Sequence, residues 1–450
     1  MDSPSNKSKI AVIGAGIAGL SAAWGLSRQH DVTLYEQNSY LGGHSNTVDV
    51  NLGGEITPVD TGFIVFNPPN YPYLCGLFKH LEVDTLKTNM SFGVSLNNGA
   101  FEYAGSDLNG LFAQRRNILR PHFWRMIADI RRFYSSAPLY LQSLESLSVG
   151  KSIGELLIEH KYSSTFVEQH LIPMAAAIWS TSLNDIRAYP ADAFLRFFAN
   201  HGLLELGERP LWHTVKGGSR EYVKRLVADT RLQGSVKQAA CEVVRGGDQV
   251  SVKDLSGQSA NYDEIVLATH ADDALALLTD PSVLEREVLG KFRYSLNDAV
   301  LHEDARLMPK RRAAWSSWNY LQFSDTNAIN RPLCVSYWMN RLQGFKIHRD
   351  IIVTLNPAIE PDSSKVHGRY HYSHPIFDHA TSRAQTQSIE IQGTNRTWFC
   401  GSYLGHGFHE DGVEAGLWVA EQHGCPVSWG LDNPYPRLPD SYTLAQRKAA

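Results

Sequence analysis

The sequence is poor in cysteine. Five occur in 450 residues, at Cys75, Cys241, Cys334, Cys400 and Cys425, an odd number with no CxxC among them. That pattern argues against a disulfide framework or a zinc ribbon, and a reducing, cytoplasmic compartment is expected. Charge of either sign is not in excess: 42 Lys and Arg face 46 Asp and Glu, a net charge of −4. No global nucleic-acid signature follows, so no nucleic-acid partner is expected. Long apolar runs are missing too, since no stretch reaches the ~20 residues of a spanning helix. The nearest, Ile10 to Leu26 behind Lys7 and Lys9, imitates a signal peptide. It contains Gly14, Gly16, Gly19 and Gly25 and no A-x-A-like cleavage site, which argues against that reading. Neither HExxH nor the G-x-S-x-G elbow occurs. His367, His371, His374 and His379, and the pair His406 and His409, are therefore not read as metal ligands, and no metal is expected.

Apolar and aromatic residues are plentiful: 43% of the chain is hydrophobic, with 10 Trp, 19 Tyr and 18 Phe. Intrinsic disorder is excluded, and two or three lobes of roughly 150 residues each are expected.

The most informative segment comes first. Lys9 to Ile13 is apolar and β-branched, as a buried strand requires. Gly14-Ala15-Gly16-Ile17-Ala18-Gly19 follows, then a helical pattern through Leu20, Ala23, Trp24 and Leu26 to about Gln29, then a second strand, Asp31 to Tyr35. Glu36 ends that strand. This is a βαβ unit with G-x-G-x-x-G at its first turn and an acid about 20 residues on, the fingerprint of dinucleotide binding. Gly14 permits the tight turn, Gly16 lets the backbone approach a pyrophosphate, and Gly19 lets helix and strand pack. The helix start offers N–H groups and a positive dipole end to phosphates, and Glu36 can accept from ribose hydroxyls. Gly42-Gly43-His44 suits either a second backbone approach or an ordinary turn. Asp60-Thr61-Gly62-Phe63 offers a further close-approach glycine.

Two later segments read as strands of the same sheet. Glu264 to His270 follows a hairpin of Val243–Val244 and Val250–Val252 around Gly246-Gly247-Asp248, and Thr397 to Gly401 lies near the C-terminus. His406 to Gly412 then leads into a helix predicted over Val413 to Gln422.

With these pieces in hand the chain resembles the flavin-containing amine oxidase superfamily, which includes monoamine oxidases, protoporphyrinogen oxidases and phytoene-type desaturases. The matching segments are GAGIAG with Glu36, LGGH, TVKGGSREYV (Thr214 to Val223) and HEDGVEAGLWVA (His409 to Ala420). Within that group it is similar to bacterial flavoproteins encoded beside cyclopropane-fatty-acid synthases, one of which desaturates methylated fatty acyl chains on the route to furan fatty acids. That closer likeness rests on IPMAAAIWS (Ile172 to Ser180), RFFANHGLL (Arg196 to Leu204) and FCGSYLGHGFHEDG (Phe399 to Gly412).

The resemblance implies an α/β fold in which a Rossmann-like FAD-binding domain of the GR2 type is interleaved with an α+β substrate domain. Residues 1–90, 212–290 and 392–425 would form the first, 91–211 and 291–391 the second, and 426–450 a surface tail. FAD is the implied cofactor. Gly14, Gly16, Ile17, Ala18 and Gly19 would hold its pyrophosphate and Glu36 its adenosine ribose. Gly42, Gly43 and His44 would flank the phosphates and flavin, although the superfamily often has arginine at the position of His44. Thr61 and Gly62, and Ala268, would line the same cleft; Ala240 would lie by the adenine. Gly401 would approach the ribityl phosphate, with Ser402 where an acid is common. Gly412 and Val413 would begin a helix aimed at the flavin pyrimidine edge, where its dipole would stabilise the negative charge of the reduced ring. Glu410 and Asp411 at that helix start read as caps.

The implied reaction is transfer of a hydride from a substrate C–H to flavin N5, with desaturation of a lipid or acyl chain as the leading substrate reading. Amine oxidation is the second reading, and a flavin-binding partner protein without turnover is the third. The electron acceptor is not identified by the sequence. Tyr403, His406 and His409 are the polar candidates for a catalytic role. Phe194, Phe197, Phe198, Trp315, Trp318, Tyr337 and Trp338 would supply either an apolar tunnel or plain core.

One segment stands apart. Leu108 to Phe133 contains Arg115, Arg116, Arg120, Arg125, Arg131 and Arg132, with Asp129 its single acid and apolar residues interleaved. It is either a helix pair packed on its own lobe with a solvated basic face, or a surface for an anionic membrane.

Overall fold

The computed structural model describes residues 7–145, 150–204, 210–232, 236–323, 333–430 and 438–442. Most of the expected tail, 431–437 and 443–450, lies outside the described residues. The fold is mixed α/β. It opens with β1 (Lys9–Ile13), α1 (Ile17–Leu26) and β2 (Asp31–Tyr35). Two further helices are α2 (Pro72–His80) and the long α3 (Pro121–Glu145). The chain later supplies β3 (Glu264–Leu267), β4 (Thr397–Phe399) and α4 (His409–Gln422).

These strands form one parallel sheet in the order β4-β3-β1-β2. Burial on both faces explains their continuous apolar runs. Every residue of α1 is buried, so the helix is apolar all round rather than amphipathic. It lies against α4 so closely that a Cβ on Gly416 would stand 2.2 Å from the Ala18 carbonyl oxygen. A Cβ on Gly25 would stand 2.5 Å from that of Ala420. The hairpin predicted around Gly246 is present as part of a three-stranded antiparallel sheet, Ala240–Gly246, Gln249–Asp254 and Ser259–Tyr262.

A seven-stranded mixed sheet forms the second layer, running from Val366–Ile376 at one edge to Phe101–Ala104 at the other. Two large hydrophobic cores result. One draws on described residues within 10–35, 66–81, 215–292 and 384–442, and the other on described residues within 50–65, 94–198 and 299–377. No helix among the described residues is long and apolar enough to cross a membrane.

The last helix differs from its predicted start. It begins at His409, a turn before Val413, because the Asp411 carboxylate accepts from the Phe408 N–H at 2.6 Å and closes the first turn. Gly412 sits inside the helix, where a Cβ would come 2.8 Å from the Ile17 side chain.

Candidate active site

A cavity of about 800 Å³ runs between the parallel sheet and the second layer, at the upper end of small-molecule sites, which span roughly 300–1,000 Å³. Its nucleotide-like end is built on the β1–α1 turn. Gly14 has φ of +102°, and a Cβ there would meet the Ala268 carbonyl at 2.7 Å, so only glycine makes this turn beside β3. Gly19 faces the Gly14 carbonyl, 1.8 Å from where a Cβ would be. It is buried and absent from the cavity wall, which gives it the packing role. Gly16 is different: a Cβ there would meet nothing within 4 Å, and it borders the cavity. The α1 start has no side-chain cap, leaving its first N–H groups to a ligand. Glu36 caps the turn from β2, its Oε2 accepting from Ala15 N at 2.7 Å.

The opposite strand ends complete this half. Ile17, Ala18, Gly42, Gly43, His44, Thr61 and Gly62 border the cavity, as do Ala240, Ala268, Gly401 and Gly412. Val413 does not; it is fully buried one residue too far along α4. The glycine-lined groove, the uncapped helix start and the carboxylate at the end of β2 fit an FAD.

Of the catalytic candidates, Tyr403 and His409 border the cavity and His406 does not. His406 has its ring edge-on to Phe197, and its carbonyl accepts from the Trp179 indole. The Tyr403 hydroxyl is buried without a hydrogen-bond partner among the described residues, and burial holds its pKa well above the ordinary range. His409 is tightly anchored. Its Nε2 lies 2.7 Å from the Tyr222 hydroxyl and 2.9 Å from Ser45 Oγ, and its ring stacks on Phe63 at 3.8 Å. Burial pushes its pKa down to about 3, so it is neutral at pH 7. Glu410 does not enter the cavity: its carboxylate accepts from Tyr73 N and Leu74 N and caps α2. Asp411 caps its own helix, so both acids have the cap role.

Several residues on this wall were not picked out by the motifs. The Tyr372 ring lies tilted against His44 at 4.9 Å, and its hydroxyl hydrogen-bonds Thr61 Oγ1 at 2.7 Å. His374 lies edge-on to His44 at 5.3 Å and contacts Asn297. Burial, then the neighbouring histidines, hold His44 well below the usual histidine range. The alternation of Tyr370, Tyr372 and His374 on one strand was the available signal. The grouped donors His270, Asp272 and Asp273 lie within 4.8 Å of one another, two of them exposed, and the four histidines from His367 to His379 do not group among the described residues.

The other end of the cavity is aromatic and aliphatic. Phe197, Trp318 and Tyr337 border it, joined by Trp212, Leu355 and Phe377, which the sequence did not single out. Phe194, Phe198 and Trp315 are core residues instead, and Trp338 is partly buried against the small cluster of Met308, Trp315 and Ile352.

Buried titratable groups give the apoprotein a pH signature. His302 is wholly buried, its Nδ1 accepts from Asp304 N and its Nε2 meets Thr354 Oγ1, and burial lowers it to about 4. His409 is lowered to about 3. Between pH 8 and pH 5 the unfolded state gains protons that these two refuse, a loss of about 2 kcal/mol each. Asp60 acts in reverse: burial raises it to about 6, against hydrogen bonds from Thr47 and Ser219. Its gain on acidification is about 1.4 kcal/mol. His374, lowered by burial to about 4, loses about 2 kcal/mol more, and His44 adds to the loss in the same direction. Unfolding free energy is therefore expected to fall by at least about 5 kcal/mol from pH 8 to pH 5, most of it in the window below 6.5. Denaturant titrations of wild type and His302→Gln check this; an equal drop in both contradicts it.

A family model described as flavin containing amine oxidoreductase matches residues 17–300, more than half the chain. The chain belongs to that family. It is an FAD-dependent oxidoreductase. Solved structures of the same fold include putrescine oxidase bound to putrescine, at 14% identity and TM-score 0.63, covering 93% of this chain and 99% of that one. Cyclohexylamine oxidase from Brevibacterium oxydans matches at 13% identity and TM-score 0.64, covering 93% and 100%. A CLA-producing fatty acid isomerase from P. acnes matches at 16% identity and TM-score 0.58, covering 94% and 99%. At these identities the likeness establishes the fold, shared by amine- and acyl-directed proteins.

Proposed function

We propose that this oxidoreductase desaturates a lipid or fatty acyl chain. The observation that carries the reading is the chemistry of the cavity wall. Among the described residues that wall has no lysine or arginine, and its only carboxylates, Glu36 and Asp273, follow β2 and β3 on the nucleotide side. An ammonium substrate at the apolar end would lose hydration without a carboxylate to pair with, at a cost of several kcal/mol. A hydrocarbon chain gains about 0.8 kcal/mol for each methylene it buries there.

Bound FAD would supply the acceptor for a hydride leaving one substrate carbon, while the neighbouring carbon gives up a proton to solvent as the double bond forms. The protein's part is to exclude water and to hold the chain against the cofactor. Trp212, Trp318, Leu355 and Phe377 provide the apolar wall. His409, fixed by Ser45, Tyr222 and Phe63, keeps a neutral polar edge between the two ends of the cavity. The likeness to a fatty acid isomerase supports an acyl substrate in this fold, and the likeness to amine oxidases supplies the rival.

The test is anaerobic addition of substrates to the yellow protein. Methylated or unsaturated acyl chains are expected to bleach the flavin absorbance, and primary amines to leave it unchanged. Bleaching by amines alone removes the proposal; no bleaching by either class favours a binding protein without turnover.

A further inference from the structure

The helix α3 divides its residues sharply between two environments. Phe123, Met126 and Phe133 are fully buried in the second core. Trp124, Arg125, Ala128, Arg131, Arg132 and Ser135 share the opposite, exposed face at helical spacing. At the N-terminal end of α3 an aliphatic tip projects: Leu119 is 85% exposed, Leu108 74% and Ile118 45%. The Trp124 indole N–H donates to the Ile118 carbonyl at 2.8 Å, which pins the half-exposed ring beside the tip.

The charge around this tip is mainly positive, although Asp107 stands exposed beside Leu108 and accepts from Gly110 N. Arg125 and Arg131 have no ion-pair partner among the described residues. Arg115 and Arg116 reach only the Asn109 side chain and the Ala100 carbonyl. Asp129, the one acid of the segment, is occupied by Arg132 and by the Ser163 N–H. Exposed leucines beside free guanidinium groups answer no need of the lobe itself, whose core is closed beneath them.

We propose that this surface docks on an anionic lipid membrane, the apolar tip entering the interface and the arginines meeting the headgroups. An anionic leaflet satisfies both features together: it takes up aliphatic side chains, and each arginine held near it strengthens binding roughly fivefold. Docking concerns the resting enzyme, so its failure leaves the acyl-chain reading standing, and the reverse also holds.

The experiment is sedimentation of the flavin-loaded protein with vesicles. Binding is expected to equal parts of phosphatidylglycerol and phosphatidylcholine at low salt, and to weaken as salt rises. Binding to phosphatidylcholine alone is expected to be much weaker. The double variant Arg125→Gln/Arg131→Gln is expected to bind about 30-fold more weakly, and Leu119→Ser about 10-fold. All three side chains are exposed, so yellow colour and melting temperature should stay unchanged, which separates lost docking from lost folding. Absence of binding at low salt, equal binding to phosphatidylcholine alone, or undiminished binding by the arginine variant overturns the proposal. So does vesicle-free self-association that Leu119→Ser abolishes, which assigns the tip to a second copy of the chain.

Discussion

Gly16→Val should yield a soluble, folded and colourless protein. The backbone at Gly16 has φ of −69° and ψ of 180°, which valine adopts freely, and the site of its Cβ is open for 4 Å around. The apoprotein has room for the added Cβ. The added side chain instead fills the groove at the α1 start where the FAD phosphates would lie. Overpacking of this kind costs up to about 3 kcal/mol, or roughly 100-fold in FAD affinity. Flavin absorbance of the purified variant and a fluorescence titration with FAD measure it, and the melting curve should follow that of the wild-type apoprotein. A variant that purifies fully yellow would place the cofactor elsewhere and dismantle the site.

Gly416→Val should act on folding instead. Its Cβ would lie 2.2 Å from the Ala18 carbonyl and 3.0 Å from Ala22 N, both backbone atoms that no rotamer change can move. Helices α1 and α4 would have to separate along their crossing, and α1 has no exposed face that could tolerate it. A destabilisation above about 4 kcal/mol is expected, against a typical total of roughly 5–15. Yield in the soluble fraction and the melting temperature report it. Gly246→Ala provides the control, because a Cβ there meets nothing; its effect should stay within about 0.5 kcal/mol. A Gly416→Val protein as stable as wild type would mean that the two helices do not touch as described.

What could be read from the sequence was what is encoded locally. The strand, turn and helix around Gly14 to Gly19 carry their requirements within one contiguous run, so spacing alone identified them. Glu36 was legible because the strand before it fixes where it must emerge. The start of α4 was misplaced because Gly412 looks like a boundary, whereas its real reason is a neighbour in α1 that no local pattern reveals. Glu410 read as a cap, but the helix it caps is α2, more than 300 residues earlier. The apolar wall was least legible. Trp212, Leu355 and Phe377 come from separate segments, each contributing single residues, and an aromatic in sequence is the same letter whether it faces a cavity or a core. Trp315 and Trp318 show the point, only three residues apart and on opposite sides of that distinction.

The order of the parallel sheet has a consequence for biosynthesis. The strand β4 and the helix that clasps α1 leave the ribosome about 380 residues after β1, which at roughly 5–20 residues per second is a delay of about 20–80 seconds. Throughout that interval a helix with no polar face has no permanent neighbour along one side. Cofactor capture must then be among the last events of maturation, and the nascent chain is a natural client for chaperones that shield apolar helices.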